Sequence, residues 1–296
     1  MASHRKRLRL GWVDVLVFAV LIAATAYVGY RVDSVLEYRW DWSGIPGYLY
    51  RWDEEQQRWV ANLLMQGLAT TLRLALWGIA LAAIIGVVFG IMRTGRRLFP
   101  RMLSRAYVEL VRNIPPLVFV FIFYFFVSSQ IMPLLGVEEF VRDASPGTLA
   151  WLEVLFGPSN LIPNVISGVL CLAMLEGAYV TEIVRAGIQS VPRTQTEAAR
   201  SVGLSRRQLM QHVILPQAVQ RVVPPLAGQF ITLVKDSSIV SLISIQELTY
   251  LAVETAVSTT RLFEVWITVA ALYFGLCFCC ALLFNRLERR MAVAGQ

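Results

Sequence analysis

Glu197-Ala198-Ala199-Arg200-Ser201-Val202-Gly203-Leu204-Ser205-Arg206-Arg207-Gln208-Leu209-Met210-Gln211-His212-Val213-Ile214-Leu215-Pro216 interrupts two long apolar runs. It is the centre of the longest polar connection between such runs, about residues 188–220, and it carries its own punctuation. Glu197, Ala198, Ala199 and Arg200 are strong helix formers, and Thr194 or Thr196 is placed to cap a helix there. Gly203 stops that helix, because glycine accepts the left-handed conformation a helix end requires. Ser205 then caps a second helix through Val213, and Pro216, lacking an N–H, is expected to disrupt it. Two short helices around a glycine turn make a compact knob suited to docking on a soluble partner.

On either side of this knob the chain is too apolar for water. Of its 296 residues 56% are hydrophobic and 16% charged, with a mean hydropathy of +0.58, whereas a soluble domain carries about a quarter charged residues. Six stretches approach the roughly 20 apolar residues that cross a bilayer: 12–30, 67–92, 114–133, 163–184, 222–244 and 265–285. Lipid offers no partner for backbone polar groups, so these are helices and the fold is an all-α integral membrane protein. Gly86 and Gly90 form a GxxxG pattern in the second span, which brings two helices close, within one chain or at a dimer seam.

The polar connections alternate in charge. Nineteen cations flank one face: Arg5, Lys6, Arg7 and Arg9; Arg93 to Arg112; Arg185 to Arg221; and Arg286, Arg289 and Arg290. The other face holds six, with the acidic residues Asp33, Glu37, Asp41, Asp53, Glu54, Glu55, Glu138, Glu139, Asp143 and Glu153. The positive-inside rule puts both termini and the knob in the cytoplasm. The first run, with its basic start and Ala24-Thr25-Ala26, also has the features of a signal peptide. Its length and Asp14 favour an anchor. Residues 31–66 mix Tyr38, Trp40, Trp42, Tyr48, Tyr50, Trp52 and Trp59 with charge, as in a headgroup zone, and a surface helix is expected around 53–66.

Soluble chemistry is poorly supplied. Arginine provides 25 of the 27 cations, placed at the ends of apolar runs rather than on a soluble face, which argues against nucleic-acid binding. Cys171, Cys277, Cys279 and Cys280 all lie in apolar runs, and the two histidines, His4 and His212, are far apart, so no metal site is expected. There is no Gly-x-x-x-x-Gly-Lys-Ser/Thr loop to cradle a nucleotide, so no ATP or other cofactor is expected on this chain. No nucleophile–base constellation marks an enzyme. Ionisable groups inside apolar runs are costly and line pathways or pair with one another. Arg73, Glu176, Glu182, Lys235 and Asp236 are such groups. Glu176, Tyr179 and Arg185 share a face of the fourth span. The set offers both signs a zwitterion needs. An internal salt-bridge network is the competing reading. A carboxylate at Glu176 would select a cationic or amine-bearing solute.

The pattern Glu197-Ala198-Ala199, Gly203, Val213-Ile214-Leu215-Pro216 resembles the EAA loop of permease subunits of ABC importers. Gly67-Leu68-Ala69-Thr70-Thr71-Leu72-Arg73-Leu74-Ala75 resembles the start of the polar amino-acid (histidine/glutamine type) permease core. Tyr107 to Leu117, Ala178 to Ile188, Leu233 to Ser238 and Gln246-Glu247-Leu248-Thr249 extend the likeness over about 67–285. Thr194 stands where the family often has glycine, and Gly228 where it often has asparagine, which puts a polar role at 228 in doubt. The resemblance implies a type I importer core of five helices at 67–285, preceded by an added anchor at 1–66 and followed by a cytoplasmic tail at 286–296. It further implies a bacterial inner-membrane amino-acid importer in which a separate ATPase subunit burns ATP. Glu197, Ala198, Ala199, Gly203, Leu215 and Pro216 would couple to that subunit, Glu197 pairing with it or capping its own helix. A second permease, identical or paralogous, and an extracytoplasmic amino-acid-binding protein complete the partners. Segments 136–162 and 244–263 are candidates for contact with the binding protein. A stand-alone carrier or channel is the alternative, and it would leave the knob without a purpose.

Overall fold

A computed structural model describes residues 11–35 and 38–294. The cations Arg5, Lys6, Arg7 and Arg9, together with His4 and Glu37, lie outside the described residues. The chain divides into two compact units, 1–42 and 43–296. The first holds α1 (Trp12–Val35), a helix exposed along its apolar length. Among the described residues six helical stretches are long and apolar enough to cross a membrane: Trp12–Arg31, Leu63–Thr94, Pro116–Leu135, Ser159–Gln189, Arg206–Ile243 and Leu262–Leu287. Each contains the greater part of one run expected from hydropathy.

The second unit opens with α2 (Ile45–Leu49) and a hairpin of β1 (Tyr50–Asp53) and β2 (Arg58–Ala61), where a surface helix was expected. Aromatic residues favour the pleated strand. Asp53 Oδ1 accepts from the backbone N–H groups of Glu55 and Gln56, closing the turn. Trp52 and Trp59 lie opposite each other, ring centroids 5.8 Å apart. Gln66 Nε2 donates to Ala61 O, and Asn62 to the carbonyl of Gly47, fastening the hairpin to the next helix.

That helix, α3 (Leu63–Thr94), packs along α9 (Ile162–Gln189). Leu74 meets Gly168, Gly78 meets Leu172, Gly86 meets Val180 and Gly90 meets Val184. Both numbers rise together, so the two spans run parallel and the chain crosses back between them. The buried residues of α3 are Leu64, Gly67, Thr70, Thr71, Leu74, Ala75, Gly78, Ala82, Gly86 and Gly90, all small except the two leucines. Lipid is as apolar as leucine, so close van der Waals contact has to hold helices together, and small residues permit it. The GxxxG pair therefore serves packing within this chain.

Between spans two and three lies α4 (Leu98–Asn113), which the hydropathy pattern does not isolate. The third span is α5 (Pro116–Ile122), a π-turn at Phe123–Ser128 and α6 (Ser129–Leu135), followed by α7 (Val137–Arg142) and α8 (Pro146–Phe156). The fifth is longer than expected. α10 (Arg193–Ser201) precedes α11 (Arg206–Leu209), which passes through a π-turn, Met210–Ile214, into α12 (Leu215–Asp236). Pro216 does not end the helix. It falls in the first turn after the wide one, where its missing N–H matters least. His212 Nδ1 lies 3.0 Å from Gln208 O, and Gln217 Nε2 donates to Val213 O, so side chains serve backbone carbonyls there. α13 (Leu248–Thr259) and the last span, α14 (Leu262–Ala294), complete the bundle.

Candidate functional site

The knob is built as its residues require. α10 ends in a left-handed Gly203, φ +82°. Gly203 N–H donates to Arg200 O, and Leu204 N–H reaches back to Ala199 O. These two bonds satisfy carbonyls that a helix end otherwise leaves open. Ser205 accepts from Gln208 N–H while the Gln208 side chain accepts from Ser205 N–H, a reciprocal cap for α11. Thr194 and Thr196 cap nothing, because Pro192 stands at the start of α10 and the helix is already under way at both threonines. Ala199 is buried, Leu215 half-buried, and Glu197, Ala198, Gly203 and Pro216 are exposed. Glu197 lies past the first turn of α10, so it does not cap. Its carboxylate has no partner among the described residues. Arg221 Nη1 donates to Ser190 O, joining the base of α12 to the end of α9.

The membrane charges form separate clusters rather than one pocket. Glu176 is 1% exposed, accepts from Gln229 Nε2, and lies within reach of Asp236 at the end of α12. Tyr107 on α4 donates to Met174 O at 2.6 Å. Burial first, and the neighbouring Glu176 second, hold its phenol well above its ordinary pKa, so it stays a donor. Glu182 sits two turns further along, paired at 2.7 Å with both Arg93 and Arg185. This links α3 to α9 as a salt-bridge network. Tyr179 carries Arg112 over its ring at 5.2 Å. Lys235, one position before Asp236 in α12, is exposed. Arg73 belongs elsewhere. In the α3–α9 register it lies about nine residues, roughly 13 Å, from the level of Glu176. Its Nε and Nη2 donate to the carbonyls of Val154 and Glu153 at 3.2 and 3.4 Å.

A model of the family described as binding-protein-dependent transport system inner membrane component matches residues 78–293. The chain belongs to that family. The probable glutamine ABC transporter permease protein GlnM of Bacillus subtilis (strain 168) is 34% identical over 78% of this chain and 94% of its own length. The glutamine transport system permease protein GlnP of Escherichia coli (strain K12) is 29% identical over 78% and 94%. A solved structure titled an amino acid ABC transporter with histidines superposes with a TM-score of 0.62 at 31% identity, covering 77% of this chain and 94% of that one. Inward-facing structures of the MetNI methionine ABC transporter share the fold at 18% identity and a TM-score of 0.54.

For this inner membrane component, the family match takes in the knob and the Glu176 and Glu182 clusters, while Arg73 and the hairpin precede it. Three polar positions were not among the candidate site residues, although Tyr107 and Glu247 stand in stretches that resemble the family. Gln229 carries no charge, so nothing marked it inside an apolar run. Tyr107 lies on the amphipathic α4. Glu247 is fully buried and starts α13: it accepts from Tyr250 N–H at 2.9 Å, from Tyr273 at 2.8 Å and from Thr71 at 3.2 Å. Burial raises its pKa, and these donors partly offset that. The signal for it was a carboxylate immediately before a helical run. Gly228 faces open space on the exposed side of α12.

Proposed function

We propose that this chain is the permease subunit of an ATP-driven amino-acid importer in a bacterial inner membrane, with both termini and the knob in the cytoplasm. The observation that carries it is the knob: two exposed helices, α10 closed at its end by the Gly203 turn and α11 opened by its reciprocal cap, the second continuous with span five. Such a body keeps its shape without a partner and moves the span when pushed. A separate ATPase subunit docks on the exposed Glu197, Ala198, Gly203 and Pro216, with Ala199 and Leu215 packed behind that surface, and closes on ATP. The packed bundle then shifts between two arrangements, each open to one side. A second permease and an extracytoplasmic binding protein complete the importer. Residues 67–285 form the permease core and 1–66 an added anchor.

Glu176, with Gln229 and Asp236, is the candidate mid-membrane contact for the amine of the solute, with Tyr179 and Lys235 bordering the path. Glu182 braces the inward end. The decisive experiment reconstitutes the chain in liposomes with its ATPase subunit and binding protein. Amino-acid uptake should require ATP and all components, and binding protein loaded with amino acid should stimulate hydrolysis. Uptake by the chain alone would overturn this reading in favour of a stand-alone carrier.

A further inference from the structure

A second, unassigned site lies at the opposite end of α3 from the knob. There a cavity of about 380 Å³ opens between the first turns of α3, the end of α8 and the segment leading into α13. Its polar lining is Gln66, Thr70, Arg73, Glu153 and Gln246, with Gly157 at one wall. Two of the three donor groups of Arg73 are held by backbone carbonyls, which fixes the plane of the guanidinium. The third, Nη1, makes no hydrogen bond among the described residues. Gly157, at φ +101°, leaves the space beside it open: a Cβ there would stand 3.2 Å from Nη1. Glu153 lines the same cavity, its Oε1 accepting from Ser159 N–H at 3.3 Å. Arg73 and Glu153 do not pair with each other, and the side-chain amide of Gln246 has no partner among the described residues.

Arg73 holds the backbone of Glu153 but not its carboxylate, so one cavity presents a guanidinium edge and a carboxylate that do not neutralise each other. A fixed guanidinium presents N–H groups that suit a carboxylate, and a carboxylate opposite suits an ammonium. We infer that this cavity is an entry site for the zwitterionic head of a free α-amino acid, with its α-carboxylate on Arg73 and its ammonium on Glu153. This rests on the importer reading above, and it adds a station before the Glu176 cluster. The cavity draws on both segments that are candidates for contact with the binding protein, 136–162 and 244–263, which would put it where released solute arrives. One guanidinium and one carboxylate leave it neutral, so it reads the head common to all amino acids and leaves side-chain selection to other sites.

The test uses the purified complex of this chain with its ATPase subunit, binding protein omitted. The probe is the labelled L-amino acid that the complete importer takes up fastest, and scintillation proximity reads its binding. Saturable binding is expected, and unlabelled amino acid should displace it. The same compound without its carboxylate, or without its amine, should compete about tenfold less well. Glu153→Gln, at an exposed position that cannot unsettle the fold, should weaken binding about threefold, and Arg73→Lys about tenfold. Equal competition by either analogue, or unchanged binding in both variants, overturns the site while leaving the importer intact. Absence of uptake of every amino acid by the complete importer overturns both.

Discussion

Gly90 and Gly203 are both indispensable on physical grounds, and for opposite reasons. Gly90 sits within the regular helix α3, where any residue fits the backbone, but an added Cβ would lie 2.6 Å from Val184 Cγ1. Gly203 has nothing within 4 Å of an added Cβ, but its φ of +82° is one that side chains resist. The seam between α3 and α9 is thus specified by volume, and the knob by backbone conformation and hydrogen bonds. The seam should fail as a whole when crowded. The knob should fail locally, leaving the bundle standing.

The largest expected effect is at the seam. Gly90→Leu forces the helices apart, costing on the order of 1–3 kcal/mol or more, and should sharply lower the yield of folded protein and its melting temperature in detergent. Normal yield with an unshifted melt would break the contrast. Gly203→Asp should cost about 1–2 kcal/mol, confined to the knob. The melt of the bundle should hold while co-purification with the ATPase subunit is lost. Ser205→Ala removes one half of the reciprocal cap, about 1 kcal/mol, and should speed hydrogen exchange in α11 without touching α10. Glu197→Gln, exposed and unpartnered, should change stability by less than about 0.5 kcal/mol. Its effect should appear only as weaker association with the ATPase subunit, and equal association would remove Glu197 from the contact.

The contrast also explains what could be read from the chain alone. Spans were legible because crossing lipid demands length and apolarity together, and both are counted directly. The glycine turn and the Ser205 cap were legible because each is a local rule. A surface helix is expected around 53–66, and residues 53–61 of it belong instead to the hairpin, because alternating aromatics and charges over four residues are too short a pattern to fix a period. Pro216 was misread because a proline stops a helix only if its neighbours keep ideal spacing, and here a wide turn precedes it. The charges were found individually, but their grouping was not. Which of Arg73, Glu176 and Glu182 share a level depends on the register of α3 against α9, and the Gly86–Gly90 pattern marks a close approach without saying which helix or which residues it meets.

The wide turn at Met210–Ile214 has a geometric consequence for the whole of span five. A π-turn accommodates one residue more than an ideal helix, and each residue is worth about 100° of rotation. Everything beyond Ile214 is therefore clocked by about that angle relative to the axis of α11. Asp236 lies within reach of Glu176, and Lys235, one position earlier, is exposed about 100° round the helix. Relaxing the turn to regular winding, with α11 held still, would rotate the far end of the span by one position and exchange an acidic group for a basic one beside Glu176.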